Sequence, residues 1–358
     1  MSDSPEREPM ARSSDGAGVP AFSVVSGAQV KKVLTGHERE VTELVEAAYL
    51  LHGVGRTVNP PSYFLRFPDR PSARIIALPA SLGGEAAVDG VKWISSFPEN
   101  VVKGVPRASA VLILNDPGTG YPFACLESSV ISAARTAASA ALAADRITRS
   151  RGGARPRRIG FIGTGLIARY VHTYLVGNGW DFDTVGIHDL SAEHAEGFRD
   201  AVRRSGATGE IVVHGGAEEL IRASDLVVFA TVAATPHVHE PAWFDHAPLV
   251  LHLSLRDLSP DVILRSVNVV DDVEHCLKAD TSPHLAEQRT GHRDFIDGTL
   301  CEVIRGTVRI PGDRPVVFSP FGLGVLDLAV GRHVWEKTRE RGELTVVDSF
   351  FDELRRYG

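Results

Sequence analysis

Arg158-Ile159-Gly160-Phe161-Ile162-Gly163-Thr164-Gly165-Leu166-Ile167-Ala168-Arg169 is a short apolar run that breaks at glycine and passes into an apolar-periodic segment, Leu166 to Val176. A buried parallel strand that turns directly into a helix reads this way. Gly163 permits the tight turn, Gly165 lets the backbone approach a ligand, and Ala168 takes the third small position of a G-x-G-x-x-G/A pattern. The helix N-terminus then offers free N–H groups to an anion such as a pyrophosphate. Thr184 to Asp189 reads as a second strand, ending in a carboxylate suited to an adenosine ribose. Asp225 to Thr231 and Leu249 to Ser254 read as later strands. Together they predict an α/β fold with a Rossmann-type, doubly wound parallel sheet that binds a dinucleotide.

Upstream the pattern differs. Tyr63 to Phe67, Arg74 to Pro79, Val88 to Ser96 and Ala108 to Asn115 read as an antiparallel strand series, with helices from Gly36 to His52 and Leu126 to Thr148. A terminal helix from about Phe321 to Arg339 is placed to return to that region. The expected division is a leader at 1–20, an α+β substrate-binding domain at 21–148 with 325–358, and the nucleotide-binding domain at 149–324. The leader has the Ser, Pro and charge content of a disordered segment and no apolar core for a signal peptide.

A chain of 358 residues has room for two ordinary domains. Its net charge of −7 argues against nucleic acid as the main partner. The run holding Arg149, Arg151, Arg155, Arg157 and Arg158 reads as a solvated linker. Cys125, Cys276 and Cys301 lie far apart without metal-ligand spacing, which predicts a reducing cytoplasm and no metal site. No apolar run approaches the ~20 residues of a membrane span.

Three cations stand in apolar surroundings: Lys92 in Gly90-Val91-Lys92-Trp93, Arg135 in a helix of small residues, and Arg66 within an aromatic strand. Burying such a charge is costly unless an anion meets it. Each alone reads as a side chain that reaches solvent or pairs with a protein carboxylate; together they suggest a site for substrate carboxylates. Asp257 follows the strand that ends near Leu255, where ligands of open α/β sheets sit. It is placed to act as a general base or to cap the helix beginning near Ser259-Pro260. The 14 histidines show no nucleophile–base pattern.

Gly90 to Trp93, the Gly120-Tyr121-Pro122 turn, Ser132 to Ala138 and Gly163 to Ala168 resemble the ornithine cyclodeaminase/μ-crystallin family in composition and in spacing. Leu253 to Leu258, Ala279 to Gln288 and Val317 to Ala329 resemble its N-(2-amino-2-carboxyethyl)-L-glutamate dehydrogenase branch. The resemblance implies an NAD-dependent enzyme of 2,3-diaminopropionate biosynthesis, dimeric, and supplied by a partner synthase. It implies that Lys92, Arg135 and Arg66 hold substrate carboxylate, with Lys92 also catalytic, and that Asp257 is the active-site aspartate. Thr136, Gly163, Gly165, Leu166, Ile167, Asp189, Thr231, Ser254 and Leu255 match positions lining the dinucleotide. Where cyclodeaminases follow the aspartate with a small residue, Pro, Gly and Lys, this chain has Leu258-Ser259-Pro260-Asp261. The missing lysine weighs against cyclodeaminase chemistry. The alternatives are another enzyme of the family, an ornithine cyclodeaminase or a dehydrogenase acting on alanine or an imine, and a non-catalytic μ-crystallin-like dinucleotide-binding protein.

Overall fold

A computed structural model describes residues 21–206 and 208–352; the expected leader lies outside the described residues. Among these, seven strands precede the glycine turn: β1 (Phe22–Val25), β2 (Thr57–Val58), β3 (Tyr63–Phe67), β4 (Arg70–Leu82), β5 (Val88–Ser96), β6 (Ala108–Asn115) and β7 (Pro122–Glu127). They form one sheet in the order β1-β7-β6-β5-β4-β2, with β3 also on β4. Pairing is antiparallel from β7 to β4, while β1 joins β7 in parallel. Helices α1 (Gly27–Leu34), α2 (Glu38–Gly53) and α3 (Ser129–Ser150) accompany it.

The differences from the sequence expectation include a helix start and a whole helix. The alanine-rich helix begins at Ser129, because Leu126 and Glu127 remain in β7, paired with Leu112 and Val111. Helix α1 was not anticipated. It starts at a reciprocal capping box in which Ser26 and Gln29 satisfy each other's backbone N–H groups.

The second sheet alternates with helices: β8 (Arg158–Ile162), α4 (Leu166–Gly177), β9 (Thr184–His188), α5 (Ala192–Arg204), β10 (Glu210–Val213), α6 (Ala217–Ala223), β11 (Leu226–Phe229), β12 (Leu249–His252), α7 (Pro260–Arg265) and β13 (Val267–Val270). It continues through α8 (Val273–Cys276), α9 (Ser282–Thr290), β14 (Ile296–Thr299), α10 (Leu300–Arg305) and β15 (Val316–Ser319). The order is β10-β9-β8-β11-β12-β15-β13-β14, with every pair parallel. Strand order reverses between β8 and β11, so the expected ligand crevice lies beyond their carboxyl ends. The short strands β11, β12, β13 and β15 are buried throughout, which explains why they read as continuous apolar runs.

The chain then returns. Helix α11 (Gly324–Glu340) packs on the first sheet, and β16 (Thr345–Val347) pairs antiparallel with β1. Leu78, Lys92 and Leu112 are cross-strand neighbours on the face that α11 covers. The other face leaves Tyr63, Leu65, Trp93 and Val111 exposed. No helix among the described residues is long and apolar enough to cross a membrane.

The approach of α11 to the sheet is close enough that a β-carbon on Gly331 would overlap Leu112 Cδ2. Gly331→Val should therefore destabilise the fold by roughly 1–3 kcal/mol or more, the usual scale of core overpacking. A thermal melt checks this; an unchanged midpoint would mean that α11 does not seat against β6 this tightly.

Candidate active site

Lys92 points inward from β5 and Arg135 from α3, and both end on Asp327 of α11. The Lys92 Nζ lies 2.6 Å from Asp327 Oδ2, and the Arg135 Nε lies 3.3 Å from Oδ1. Side-chain exposure is 2% for Lys92, 0% for Asp327 and 11% for Arg135. The bland expectation, pairing with a protein carboxylate, is thus met for both cations, yet by one shared carboxylate. Two cations against one anion leave a net positive charge, with Arg135 as its open edge. Burial pulls the Lys92 ammonium down to about 8 even though Asp327 opposes the shift.

Arg135 is placed partly by Gly322, whose φ of +96° lies in the left-handed region. A β-carbon there would come within 2.6 Å of Arg135 Nη1. The Gly322 segment is fixed in turn by Asp271, a buried carboxylate that accepts from the backbone N–H groups of Phe321 and Gly322 at 2.9 and 2.6 Å. Burial raises the Asp271 pKa, and those hydrogen bonds oppose the rise. Asp272 next to it meets His52 of α2 at 3.1 Å, which joins the parallel sheet to the first one.

Asp257 does not cap α7. Ser259 occupies the N-cap position, and the Asp257 side chain turns back into the protein. Its Oδ1 accepts from the Thr231 hydroxyl and lies 3.0 Å from His237 Nε2. His252 Nε2 lies 3.3 Å from Oδ2, but it also accepts the Asp257 backbone N–H. With its proton on Nδ1, towards Ser319, His252 leaves Oδ2 without a donor of good geometry. Burial alone would raise this carboxyl; the hydrogen bond with His237 and the polar groups around it more than offset that and hold it well below the usual carboxylate range. The His237 side chain is 40% exposed, whereas Asp257 is fully buried.

The glycine turn fits a dinucleotide. Gly163 has φ +82°, and a β-carbon on it would meet the Ala230 carbonyl at 2.8 Å. A β-carbon on Gly165 would meet nothing within 4 Å, so the turn backbone faces open space at the start of α4. Asp189 accepts from the Thr164 N–H and hydroxyl and from the Ser191 N–H. These use three of a carboxylate's roughly four acceptor sites. The Ser254 hydroxyl, beyond β12, is buried without a hydrogen-bond partner, and Leu166 is exposed beside the turn. Thr136 follows Arg135 on α3, Ile167 packs on the core, and the Leu255 carbonyl accepts from Ser282 N–H.

Arg66 stands apart from Lys92 and Arg135, exposed on β3 over the ring of Phe64. Asp327, Asp271, His237 and His252 escaped the sequence reading. Asp327 carried a usable signal, since Val325-Leu326-Asp327-Leu328-Ala329 buries a charge as conspicuously as the Lys92 stretch does. His237 carried none, because a histidine beside a proline turn is ordinary.

The sequence model of the ornithine cyclodeaminase/mu-crystallin family matches residues 24–342, and the chain belongs to that family. It is 26% identical over 322 residues to the N-((2S)-2-amino-2-carboxyethyl)-L-glutamate dehydrogenase of Staphylococcus aureus, covering 88% of this chain and 94% of that one. Thermococcus litoralis Delta(1)-pyrroline-2-carboxylate reductase in complex with NADH and L-proline has a TM-score of 0.82 at 25% identity, covering 91% of this chain and 100% of that one. An archaeal alanine dehydrogenase dimer with bound NAD gives 0.80 at 26% identity, covering 92% and 99%.

Removing the shared carboxylate should expose its importance. Asp327→Asn leaves Lys92 and Arg135 facing each other uncompensated, so it should cost on the order of 3–5 kcal/mol of stability. It should also push the Lys92 pKa below its wild-type value. Thermal unfolding measured at pH 7 and pH 9 checks both effects: the deficit should shrink at the higher pH, where Lys92 is neutral.

Proposed function

We propose that this member of the family oxidises N-(2-amino-2-carboxyethyl)-L-glutamate with NAD and releases 2-oxoglutarate and L-2,3-diaminopropionate. The observation that carries the reading is the excess cation at Lys92, Arg135 and Asp327, a site built for an external carboxylate. The likeness to the Staphylococcus aureus enzyme supports this substrate within the family. NAD, over the Gly163–Ile167 turn and beside Asp189, supplies the hydride acceptor. Asp189 favours NAD over NADP, because it would repel a 2′-phosphate.

The protein's part in the chemistry follows from its charges. Lys92 and Arg135 fix the carboxylate beside the carbon to be oxidised. As that C–H bond breaks and hydride departs, the lone pair of the neutral secondary amine closes a C=N bond, giving an iminium that keeps its N–H. Water must then add to the carbon, which requires a base. Asp257 is too well stabilised as an anion to be a strong base alone. It instead orients His237 and stabilises its imidazolium form, leaving Nδ1 to take the proton from water. Return of that proton to nitrogen, with the carbinol O–H proton passing to the imidazole in its place, lets the C–N bond break and gives the keto acid and the amine.

A second copy covers the outer face of the first sheet, where Tyr63, Leu65, Trp93 and Val111 are exposed, so the working unit is a homodimer. The setting is cytoplasmic biosynthesis of a siderophore or peptide antibiotic, with a synthase that joins glutamate to the three-carbon unit supplying the substrate. The alternative, an alanine- or imine-type dehydrogenase, is favoured by the two structural relatives.

NADH formation from NAD and each candidate amino acid tests the assignment. The expected result is stoichiometric NADH, 2-oxoglutarate and diaminopropionate from N-(2-amino-2-carboxyethyl)-L-glutamate. Turnover of alanine or proline instead would move the protein to the alternative, and no turnover of any candidate would make it a binding protein.

Asp257→Asn and His237→Gln should both stay folded, bind NAD and lose on the order of 10²-fold or more in turnover. Melting temperature, NAD affinity and 2-oxoglutarate release on one preparation decide this. Normal turnover in His237→Gln would return the base role to another group.

A further inference from the structure

Lys92 and Arg135 provide for one carboxylate, and a substrate with three leaves others to be met. A second group of cations stands farther along the same face of the first sheet. Arg66 of β3 lies opposite Arg74 of β4, and Arg74 lies opposite Ser96 of β5. The Arg107 guanidinium donates to the Ser96 hydroxyl at 2.7 Å. Ser96 and Lys92 are an even number of residues apart on one strand, so they share a face. Their backbones are roughly 13 Å apart at the rise of a strand, a gap that long side chains shorten.

A fourth cation reaches this group from the parallel sheet. Arg256 immediately precedes Asp257, and its guanidinium donates to the carbonyls of Ala279 and Asp280 at 2.7 and 3.0 Å. Those two residues hold φ values of 55° and 54°, so Arg256 anchors a tightly turned segment as well. The charges of Arg107, Arg256 and Arg66 all bear on Arg74, which burial already disfavours as a cation.

No carboxylate among the described residues forms an ion pair with any of the four. Asp69 is taken by Arg70, and the Asp280 carboxylate turns to His284 and Gln288. Crowding half-buried like charges costs stability, and a bound anion removes the cost. We infer that Arg66, Arg74, Arg107 and Arg256 form a second anion subsite, which takes a carboxylate remote from the one at Lys92 and Arg135. The enzyme thereby selects amino acids that carry at least two well-separated carboxylates. The inference rests on the oxidation reading above for its substrate, and it explains how that substrate is told from alanine or proline.

Binding without turnover tests it. The NADH-loaded enzyme cannot accept hydride, so calorimetry can compare N-(2-amino-2-carboxyethyl)-L-glutamate with two truncated ligands. One is N-(2-aminoethyl)-L-glutamate, and the other is the analogue whose glutamyl part is replaced by 2-aminobutyrate. The wild type should bind the full ligand about tenfold to a hundredfold more tightly than at least one truncated form, the scale of a charge-assisted contact. Arg74→Gln and, separately, Arg107→Gln should erase that gap while leaving NADH affinity and the binding of that truncated ligand unchanged. Each substitution relieves repulsion, so melting temperature should hold or rise. A wild type that binds all three ligands equally, or variants that keep the gap, would overturn the subsite. If the gap behaves as expected but NAD gives no NADH with the full ligand, the oxidation reading falls and the subsite stands.

Discussion

One buried carboxylate ties the first sheet to the helices packed on it. Asp327 reaches Lys92 from β5 and Arg135 from α3, and it does so from a helix that arrives only after the whole parallel sheet has been built. Without α11, two cations would be left on a largely apolar face with no counter-charge, at a cost of several kcal/mol. Completion of the site and completion of the first sheet's core are therefore one event. The triad keeps one cation more than it has anions, with Arg135 at its more open edge.

A second buried carboxylate does the joining. Asp271 sits at the end of β13 and binds the backbone N–H groups of Phe321 and Gly322, the segment that leads from β15 into α11. Its neighbour Asp272 meets His52, and His275 approaches the Pro60 carbonyl. The crossing from one sheet to the other is thus pinned from both sides, and Gly322 gives Arg135 the room to lie against it. The geometry of the cation site depends on hydrogen bonds made by residues of the parallel sheet.

Much of this is legible in the sequence. The Gly163 turn, the strands around it and the return of the last helix came from periodicity and glycine placement, because buried parallel strands and strand-to-helix turns leave strong local marks. Lys92 and Arg135 stood out because charge in apolar sequence is rare. Their partner Asp327 lies 192 positions from Arg135, and no local pattern states which distant carboxylate answers which cation. The Arg74, Arg107 and Arg256 group was invisible for a related reason. They lie in three separate stretches, Ala73-Arg74-Ile75, Pro106-Arg107-Ala108 and Leu255-Arg256-Asp257, and only the fold places them together. Local sequence leaves Asp257 open between cap and base because Ser259-Pro260 starts a helix beside it; the family resemblance favours the active-site role, and the fold shows that Ser259 and not Asp257 takes the N-cap position of α7.

That turn decides what kind of acid–base group the site contains. A carboxyl buried alone would be protonated near neutrality and could act as an acid or a strong base. Asp257 instead meets Thr231 and His237 through Oδ1, so it stays ionised and resists taking a proton. An anion of that kind is suited to keep a proton on a neighbouring imidazole. His252 is buried and has both ring nitrogens engaged, which leaves His237, half-open and bonded to the carboxylate through Nε2 only. In a cyclodeaminase pattern the residues after the aspartate would include a lysine; here Leu258 is buried and Asp261 pairs with Arg289 at the surface. Of the two imidazoles at Asp257, water reaches His237 and not His252.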